Sequence, residues 1–395
     1  MKLNSAEQVL IVGAGPAGLT AAALLAEAGV FATVLEAEPE LPTNLRASTF
    51  HPPTLEMLDR FGVTDLLVSQ GLVAPKFQFR DRSFGKLAEF DLSELADVCT
   101  RPYRLQCEQY KLNMALVDYI NSKGTVDIRF GAKVTNIQQS SGSVSATLSS
   151  GERLDGQYLL GSDGAKSVVR HALDIPFEGF TWPEAFLVVS TPFPFEEKMD
   201  DLCWVNYFAD PEEWFFLLRA PDFWRVMFPV DANTTETEIF DPSTIQLRLQ
   251  RVFKTASKYE VAHTTLYRVH QRVATQYRKG RIFLAGDAAH INNPLGGMGM
   301  NGGIHDAFNL GSKLVAVMTG SAKPSVLDTY EPERRPVALE YVNEITIRNK
   351  RNLETNDLAE QKAFRAMLKE TAMNPTKRRI YLLRASMLAS LGVQQ

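Results

Sequence analysis

The stretch from Val9 to Thr20, read with Val34-Leu35-Glu36, constrains this chain more than any other. An apolar run, Val9 to Val12, leads into Gly13-x-Gly15-x-x-Gly18, and an alanine-rich segment from Leu19 to Ala28 follows. Gly29 ends that segment, and Phe31 to Leu35 reads as a second buried strand closing on Glu36. Strand, glycine turn, helix and strand in this order make a βαβ unit that carries the dinucleotide fingerprint in its required context. Gly13 permits the tight turn, Gly15 lets a pyrophosphate approach the backbone, and Gly18 lets helix and strand pack closely; Ala17 belongs to the same cofactor-binding turn. The pyrophosphate belongs on the helix N-terminus, where free N–H groups and the positive dipole end point at it. Glu36, 18 positions after Gly18, is placed to accept hydrogen bonds from an adenosine ribose.

A length of 395 residues allows two domains, or one large domain with an inserted sheet. With 45% hydrophobic and 22% charged residues the chain reads as an ordinary globular protein. A formal net charge of −4 gives no footprint for nucleic acid or an anionic membrane as partner. Cys99, Cys107 and Cys203 form no CxxC and no metal-ligand spacing, so they read as structural thiols of a reducing compartment, with no metal site. The apolar N-terminal stretch carries glycines and an acidic Glu7, unlike a signal peptide, and no other segment approaches a membrane-spanning length. The expectation is a cytoplasmic protein, with a homodimer left open.

Further along, Pro52 to Phe61 reads as a helix that Gly62 ends, Lys76 to Asp91 alternates like a hairpin, and Glu108 to Ile120 has helical spacing. Val126 to Phe130, Lys133 to Gln138, Val144 to Leu148 and Gln157 to Gly161 read as a meander of three or four strands. Phe177 to Val230 holds all four tryptophans and many phenylalanines, the texture of a largely antiparallel sheet. Most of these aromatics are expected to be sheet core, and a minority to line a pocket for a flat apolar ligand. Arg281 to Ala285 returns as a buried strand, Asn301 to Met318 reads as a helix, and Ser325 to Asn352 as one long or broken helix around Pro332 and Pro336. The basic amphipathic tail from Lys377 to Leu391 closes the chain.

Two later motifs specify the dinucleotide. Leu159-Leu-Gly-Ser-Asp163-Gly164 is a strand end turning into a helix, and Gly286-Asp287-Ala-Ala-His290 is another, followed by Pro294 and the run Gly296-Gly297-Met-Gly299-Met300-Asn301. Together with the first fingerprint, in this order and spacing, they resemble the class A flavoprotein monooxygenases, the p-hydroxybenzoate hydroxylase-like family, over nearly the whole chain. The glycine run is closer to phenol-hydroxylase-like and polyketide-hydroxylase-like members, which often carry a further C-terminal domain for which this length leaves no room.

The resemblance implies an α/β fold: a Rossmann-like FAD-binding domain of the glutathione-reductase-like type, with an inserted antiparallel substrate sheet and C-terminal helices. The expected division is 1–75, 100–172 and 281–340 for FAD, 76–99 and 173–280 for substrate, and 341–395 for the helices. Asp287 would accept from a ribityl hydroxyl of FAD, and the N–H groups of Gly299, Met300 and Asn301 would stabilise negative charge on the reduced flavin. Arg46 matches the family arginine near the pyrophosphate, Gln106 the residue touching the ribityl chain, and Asp163 a position tied to FAD and to the transient nicotinamide; Asp163 can also cap a helix. His290 reads as a structural member of its motif. With no second GxGxxG in the chain, NADPH or NADH would be a transient co-substrate.

The implied reaction is hydroxylation of a phenolic or N-heteroaromatic compound with NAD(P)H and O2, through a C4a-hydroperoxyflavin. The protein must then exclude water, orient the ring and favour its phenolate form. Pro294 would form the flavin-side wall. Arg225 aligns loosely with a family arginine beside the flavin, or is a surface charge on an edge strand. Tyr207, Phe216 and Met227 occupy inward strand positions, and Arg219 with Arg225 could clamp a carboxylate. A prenyl-lipid reductase, which shares all three motifs, and a non-catalytic FAD-binding protein are the competing readings. The WxWxIP of tryptophan halogenases is missing, and the tail is too charged for a membrane epoxidase.

Overall fold

A computed structural model describes residues 8–43, 47–210 and 212–392. Its strands form four sheets. The first has six strands in the order Arg278–Lys279, Ile282–Leu284, Tyr158–Gly161, Val9–Val12, Ala32–Leu35 and Val126–Arg129. The five from Ile282–Leu284 onward are parallel. Val9–Val12, Ala32–Leu35 and Tyr158–Gly161 are buried at every position, as strands covered on both faces must be. The Pro16–Glu27 helix lies against this sheet and is itself packed by the Gln109–Lys123 and Met298–Met318 helices.

The meander has three strands, within the expected three or four, but its membership differs. Only Val134–Gln139, Val144–Leu148 and Arg153–Gly156 form the antiparallel three-stranded sheet. Val126–Arg129 and Tyr158–Gly161, expected within it, are parallel strands of the first sheet. Short apolar runs carry no sign of which sheet they join, because that depends on partners far away in sequence.

The aromatic region does form a sheet. Its eight strands run in the order His290–Ile291, His263–Ala274, Phe177–Thr191, Trp224–Val230, Phe215–Arg219, Val205–Ala209, Lys76–Asp81 and Gly85–Asp91. Every pairing is antiparallel except Val205–Ala209 on Lys76–Asp81. Period-2 alternation gives the sheet two apolar faces. Leu187, Val189, Phe215, Leu217, Trp224 and Phe228 pack with Ile245 and Leu249 of the Pro242–Val252 helix. On the opposite face Phe77, Phe79, Tyr207 and Met227 meet Leu353, Phe364, Leu368, Leu382 and Leu383 of the C-terminal helices. A fourth sheet has three short strands in the order Thr49–Phe50, Arg104–Gln106 and Leu72–Ala74.

The segment read as one long or broken helix is a continuous helical run, unbroken at either proline. Pro332 lies in the first turn and Pro336 inside the Tyr330–Leu339 helix, and a π-helical turn, Glu340–Ile345, separates that helix from Thr346–Glu354. Among the described residues no helix is long and apolar enough to cross a membrane.

Candidate active site

The glycine turn divides its labour. Gly13 has φ +101°, and a Cβ there would come within 2.5 Å of the Ser162 carbonyl oxygen. A Cβ on Gly18 would lie 2.0 Å from the Gly13 oxygen, so close packing of helix on turn excludes any side chain. A Cβ on Gly15 meets nothing within 4 Å. That position keeps space open at the start of the Pro16–Glu27 helix, where unpaired N–H groups face outward. Ala17 is turned to packing: its methyl lies where a Cβ on Gly286 would come within 3.2 Å of it. Glu36 braces the turn from the next strand, its carboxylate accepting the Ala14 N–H at 2.7 Å and the Glu38 N–H at 3.0 Å.

Asp163 follows the end of the Tyr158–Gly161 strand. Ser167 is the cap of the Val168–Ala172 helix, accepting the Arg170 N–H at 2.9 Å. Asp163 supports that cap, accepting from the Ser167 hydroxyl at 2.5 Å and the Val169 N–H at 3.1 Å. Burial pushes its carboxyl pKa up, against the pull of these donors. Asp287 lies in the Gly286–Ala288 turn just beyond the Ile282–Leu284 strand and is exposed. It therefore stands at the carboxyl end of the parallel sheet, where open α/β sheets bind ligands.

The second glycine run makes a tight turn. Gly297 N–H donates to the Pro294 carbonyl at 2.9 Å, and Gly296 has φ +100°, the left-handed value that such a turn requires. Pro294 is exposed at its corner. The helix behind the turn begins at Met298, three residues before the expected start, so the unpaired N–H groups belong to Met298, Gly299 and Met300. Asn301 sits one turn in, and its side chain is buried. Its amide donates to the Thr49 carbonyl at 2.9 Å and the Gly297 carbonyl at 2.7 Å, and its oxygen accepts the His51 N–H at 2.9 Å.

Several sequence candidates meet on one short segment, Ser48 to His51. Arg225 Nη1 donates to the Ser48 hydroxyl at 3.2 Å, which places this arginine inward between the sheets and not on an outer edge. Thr49 Oγ1 donates to Gln106 Oε1 at 2.9 Å, Asn301 holds both neighbours, and the His51 ring bonds the Gly296 carbonyl at 2.8 Å. Arg46, two residues before Ser48, lies outside the described residues. Tyr207 stacks between Phe79 and Phe216, with ring centroids at 5.0 and 4.8 Å. Strand register puts Phe79, Tyr207, Phe216 and Met227 in one row across four strands.

The Arg219–Arg225 clamp is not formed. Arg225 pairs in register with Leu218 and Arg219 with Trp224, so the two guanidinium groups leave opposite faces of the sheet. Arg219 instead meets Glu196 at 3.5 Å.

Sequence reasoning missed a buried polar cluster under the Met298–Met318 helix. Asp306 accepts from His290 at 2.8 Å, from Arg334 at 2.8 Å and from the Gly286 N–H at 3.2 Å. Burial drives its carboxyl pKa up, but the His290 and Arg334 charges and hydrogen bonds outweigh that and hold it below the usual carboxylate range. His290 is thereby a structural residue. His51 and His305 are buried too, and burial lowers both imidazoles, His305 to about 3. No periodicity marks these residues, since each partner lies on a different element.

These positions fit FAD. Gln106 is fully buried, and its Nε2 has no partner among the described residues, as expected of a donor reserved for a ligand. The open space at Gly15 suits a pyrophosphate, and the N–H groups of Met298 to Met300 suit an electron-rich ring edge. Among the described residues no group of His, Cys, Asp or Glu could hold a metal ion.

Comparison with known proteins agrees. The family described as "FAD binding domain" matches residues 6–344. The chain is 33% identical over 393 residues to para-nitrophenol 4-monooxygenase of Pseudomonas sp. (strain WBC-3), covering 96% of each. It is 35% identical over 367 residues to 6-hydroxy-3-succinoylpyridine 3-monooxygenase of Pseudomonas putida, covering 89% of this chain and 90% of the relative. The crystal structure of p-nitrophenol 4-monooxygenase from Pseudomonas putida DLL-E4 superposes with a TM-score of 0.91 at 32% identity, over 98% of this chain and 100% of that one. A glycine turn that keeps ligand space open, a buried donor without a partner and relatives matching end to end lead to one conclusion: the chain belongs to the FAD binding domain family, among the class A flavin-dependent aromatic monooxygenases.

Proposed function

We propose that this enzyme uses FAD, NADPH or NADH, and O2 to hydroxylate a phenol or a hydroxylated N-heteroaromatic acid. The relatives named for p-nitrophenol and 6-hydroxy-3-succinoylpyridine support that substrate range. The observation that carries it is the meeting of Gln106, Arg225 and Asn301 on Ser48 to His51, where the parallel sheet's ligand edge adjoins the row Phe79, Tyr207, Phe216 and Met227.

In this reading residues 1–75, 100–172 and 281–340 hold FAD, 76–99 and 173–280 shape the substrate side, and 341–395 cover it. The His290–Ile291 strand, which extends the eight-stranded sheet, fastens the cofactor part to the substrate part. Gly13, Gly15 and Gly18 shape the pyrophosphate turn, Ala17 seats its helix, and Glu36 and Asp287 face the two sugar portions. Gln106 donates to the cofactor through Nε2. The N–H groups at Gly299 and Met300 stabilise negative charge, with Asn301 fixing the turn that presents them. Asp163 keeps the Ser167-capped helix start in place beside the cofactor. Bound FAD supplies the chemistry of O2 activation and oxygen transfer.

The protein's remaining work is orientation and exclusion of water. Pro294 walls one side, Tyr207 presents a rigid ring against the substrate, and Arg225 holds its charge near the junction. The free cysteines fit a cytoplasmic setting. The test is product analysis under 18O-labelled O2 with nitrophenols and hydroxypyridine acids. Gain of one labelled oxygen by a ring product supports the reading, and NAD(P)H consumption with unlabelled or no ring product refutes it.

A further inference from the structure

We propose that Arg104 is the anion-binding residue of the substrate chamber: its guanidinium holds the oxygen anion of the phenolate form that the family resemblance already implies for the substrate. The proposal rests on the aromatic-hydroxylase reading and deepens it.

Arg104 begins the Arg104–Gln106 strand and is 3% exposed. A buried guanidinium normally finds a carboxylate or several carbonyls, because an uncompensated buried charge is among the costliest features a fold can carry. The other buried arginines obey. Arg334 bonds Asp306, Arg80 bonds Gln78 and the carbonyls of Asp200 and Asp201, and Arg170 bonds the carbonyls of Ala165 and Ala288. Among the described residues Arg104 has one such bond, Nη2 to the Ala385 carbonyl at 3.2 Å, and its buried Nε has no partner. Among the described residues it forms no ion pair. Its guanidinium carbon lies over the Phe77 ring, 4.4 Å from the centroid, a cation–π contact that does not neutralise the charge.

Three titratable side chains that feel this charge do not neutralise it either. They are His51 from the Ser48–His51 segment, Cys203 from the loop before the Val205–Ala209 strand, and Tyr381 from the Pro375–Ala385 helix. Burial keeps the His51 imidazole neutral, raises the Cys203 thiol to about 11 and raises the Tyr381 phenol, so all three are uncharged near neutral pH. Tyr381 also feels Tyr207 and the exposed Arg348, and the acid that Cys203 feels, Glu89, is already paired with Lys76 and Lys86.

The place suits a substrate. Tyr381 lies deep in the molecule yet keeps accessible surface, and its ring lies 6.2 Å from Phe77 and 4.4 Å from Phe90. The aromatic row with Tyr207 continues from these rings through Phe79. Alternation along the strand sends Arg104 and Gln106 to the same face, about 7 Å apart. Gln106 carries the unpartnered donor assigned to the cofactor, so the cationic head and the cofactor-facing amide border one space. A flat ring bearing an oxygen anion fills it, with its charge on Arg104 and its faces against aromatic side chains.

The test is binding of 4-nitrophenol to the FAD-loaded protein, followed through the yellow phenolate band over a pH series. Nitrobenzene, read by competition, is the neutral comparison. In wild type the bound ligand should ionise at lower pH than in solution. Arg104→Gln should weaken phenolate binding about tenfold or more. It should leave nitrobenzene binding and FAD retention unchanged, and Arg104→Lys should recover part of the phenolate affinity. A bound nitrophenol that keeps its solution pKa in wild type overturns the proposal, with no variant needed. So does an Arg104→Gln protein that loses FAD, or nitrobenzene and nitrophenolate equally. A wild type that binds no phenol, and whose NADH oxidation no phenol stimulates, strikes the aromatic-hydroxylase reading itself and this proposal with it.

Discussion

His51 and Asn301, 250 positions apart, are joined by the His51 backbone N–H donating to the Asn301 side-chain oxygen at 2.9 Å. Through this bond the start of the Met298–Met318 helix is locked to the segment that also carries the Arg225 and Gln106 contacts. Asn301→Ala would strand the His51 N–H and the Thr49 and Gly297 carbonyls, costing about 2–3 kcal/mol. The expected result is a lower unfolding midpoint together with weaker FAD retention, measured by urea titration and by fluorescence of released flavin.

The two glycine positions with opposite surroundings make a paired prediction. Gly15→Ala enters open space, so the flavin-free protein should keep its stability within about 1 kcal/mol, while FAD affinity falls at least about tenfold. Gly18→Ala collides with the Gly13 carbonyl and should yield little folded protein. Equal thermal midpoints for the two flavin-free variants would contradict this division.

Buried Asp306 with His290 and Arg334 predicts a large structural effect away from the chemistry. Asp306→Asn leaves the Arg334 charge uncompensated and should cost about 3–5 kcal/mol in urea unfolding. Asp287→Ala, at an exposed strand end, should instead act on the cofactor and weaken flavin retention.

His305 predicts a pH dependence. Its folded-state pKa is lowered to about 3, chiefly by burial and secondarily by Arg334. The unfolded imidazole titrates near 6.5, so as pH falls the unfolded chain takes up the proton first. Stability from the neutral ring is complete above about pH 6.5 and drains away as pH drops toward the folded value. His305→Gln, which can still bond Thr54, should remove one proton from this slope, about 1.4 kcal/mol per pH unit between pH 4 and 6. Denaturation midpoints in a pH series would read it.

Much of this was legible in the chain because local rules govern it. Gly13, Gly15 and Gly18 sit in a contiguous turn, and alternation along Phe77 to Phe79 and Val205 to Ala209 predicts which aromatics share a face. What escaped depends on contacts between distant elements. Val126–Arg129 looked like a meander strand until its partner Ala32–Leu35 is known. Arg219 and Arg225 look alike in sequence, and only the register between their strands sends them to opposite faces. Arg104 stands in a motif noticed for Gln106; its burial and lack of an acidic partner exist only in three dimensions.

Arg225→Ala should lower hydroxylated product per NAD(P)H oxidised, with more peroxide released, while flavin retention changes little. Unchanged product yield and peroxide would remove Arg225 from the site.

The most direct test of the central claim is the anaerobic rate of flavin bleaching by NADH and by NADPH, with and without 4-nitrophenol and hydroxypyridine acids. An aromatic hydroxylase should show strong acceleration by at least one such ligand. Fast bleaching indifferent to every ligand would contradict it and point to a reductase.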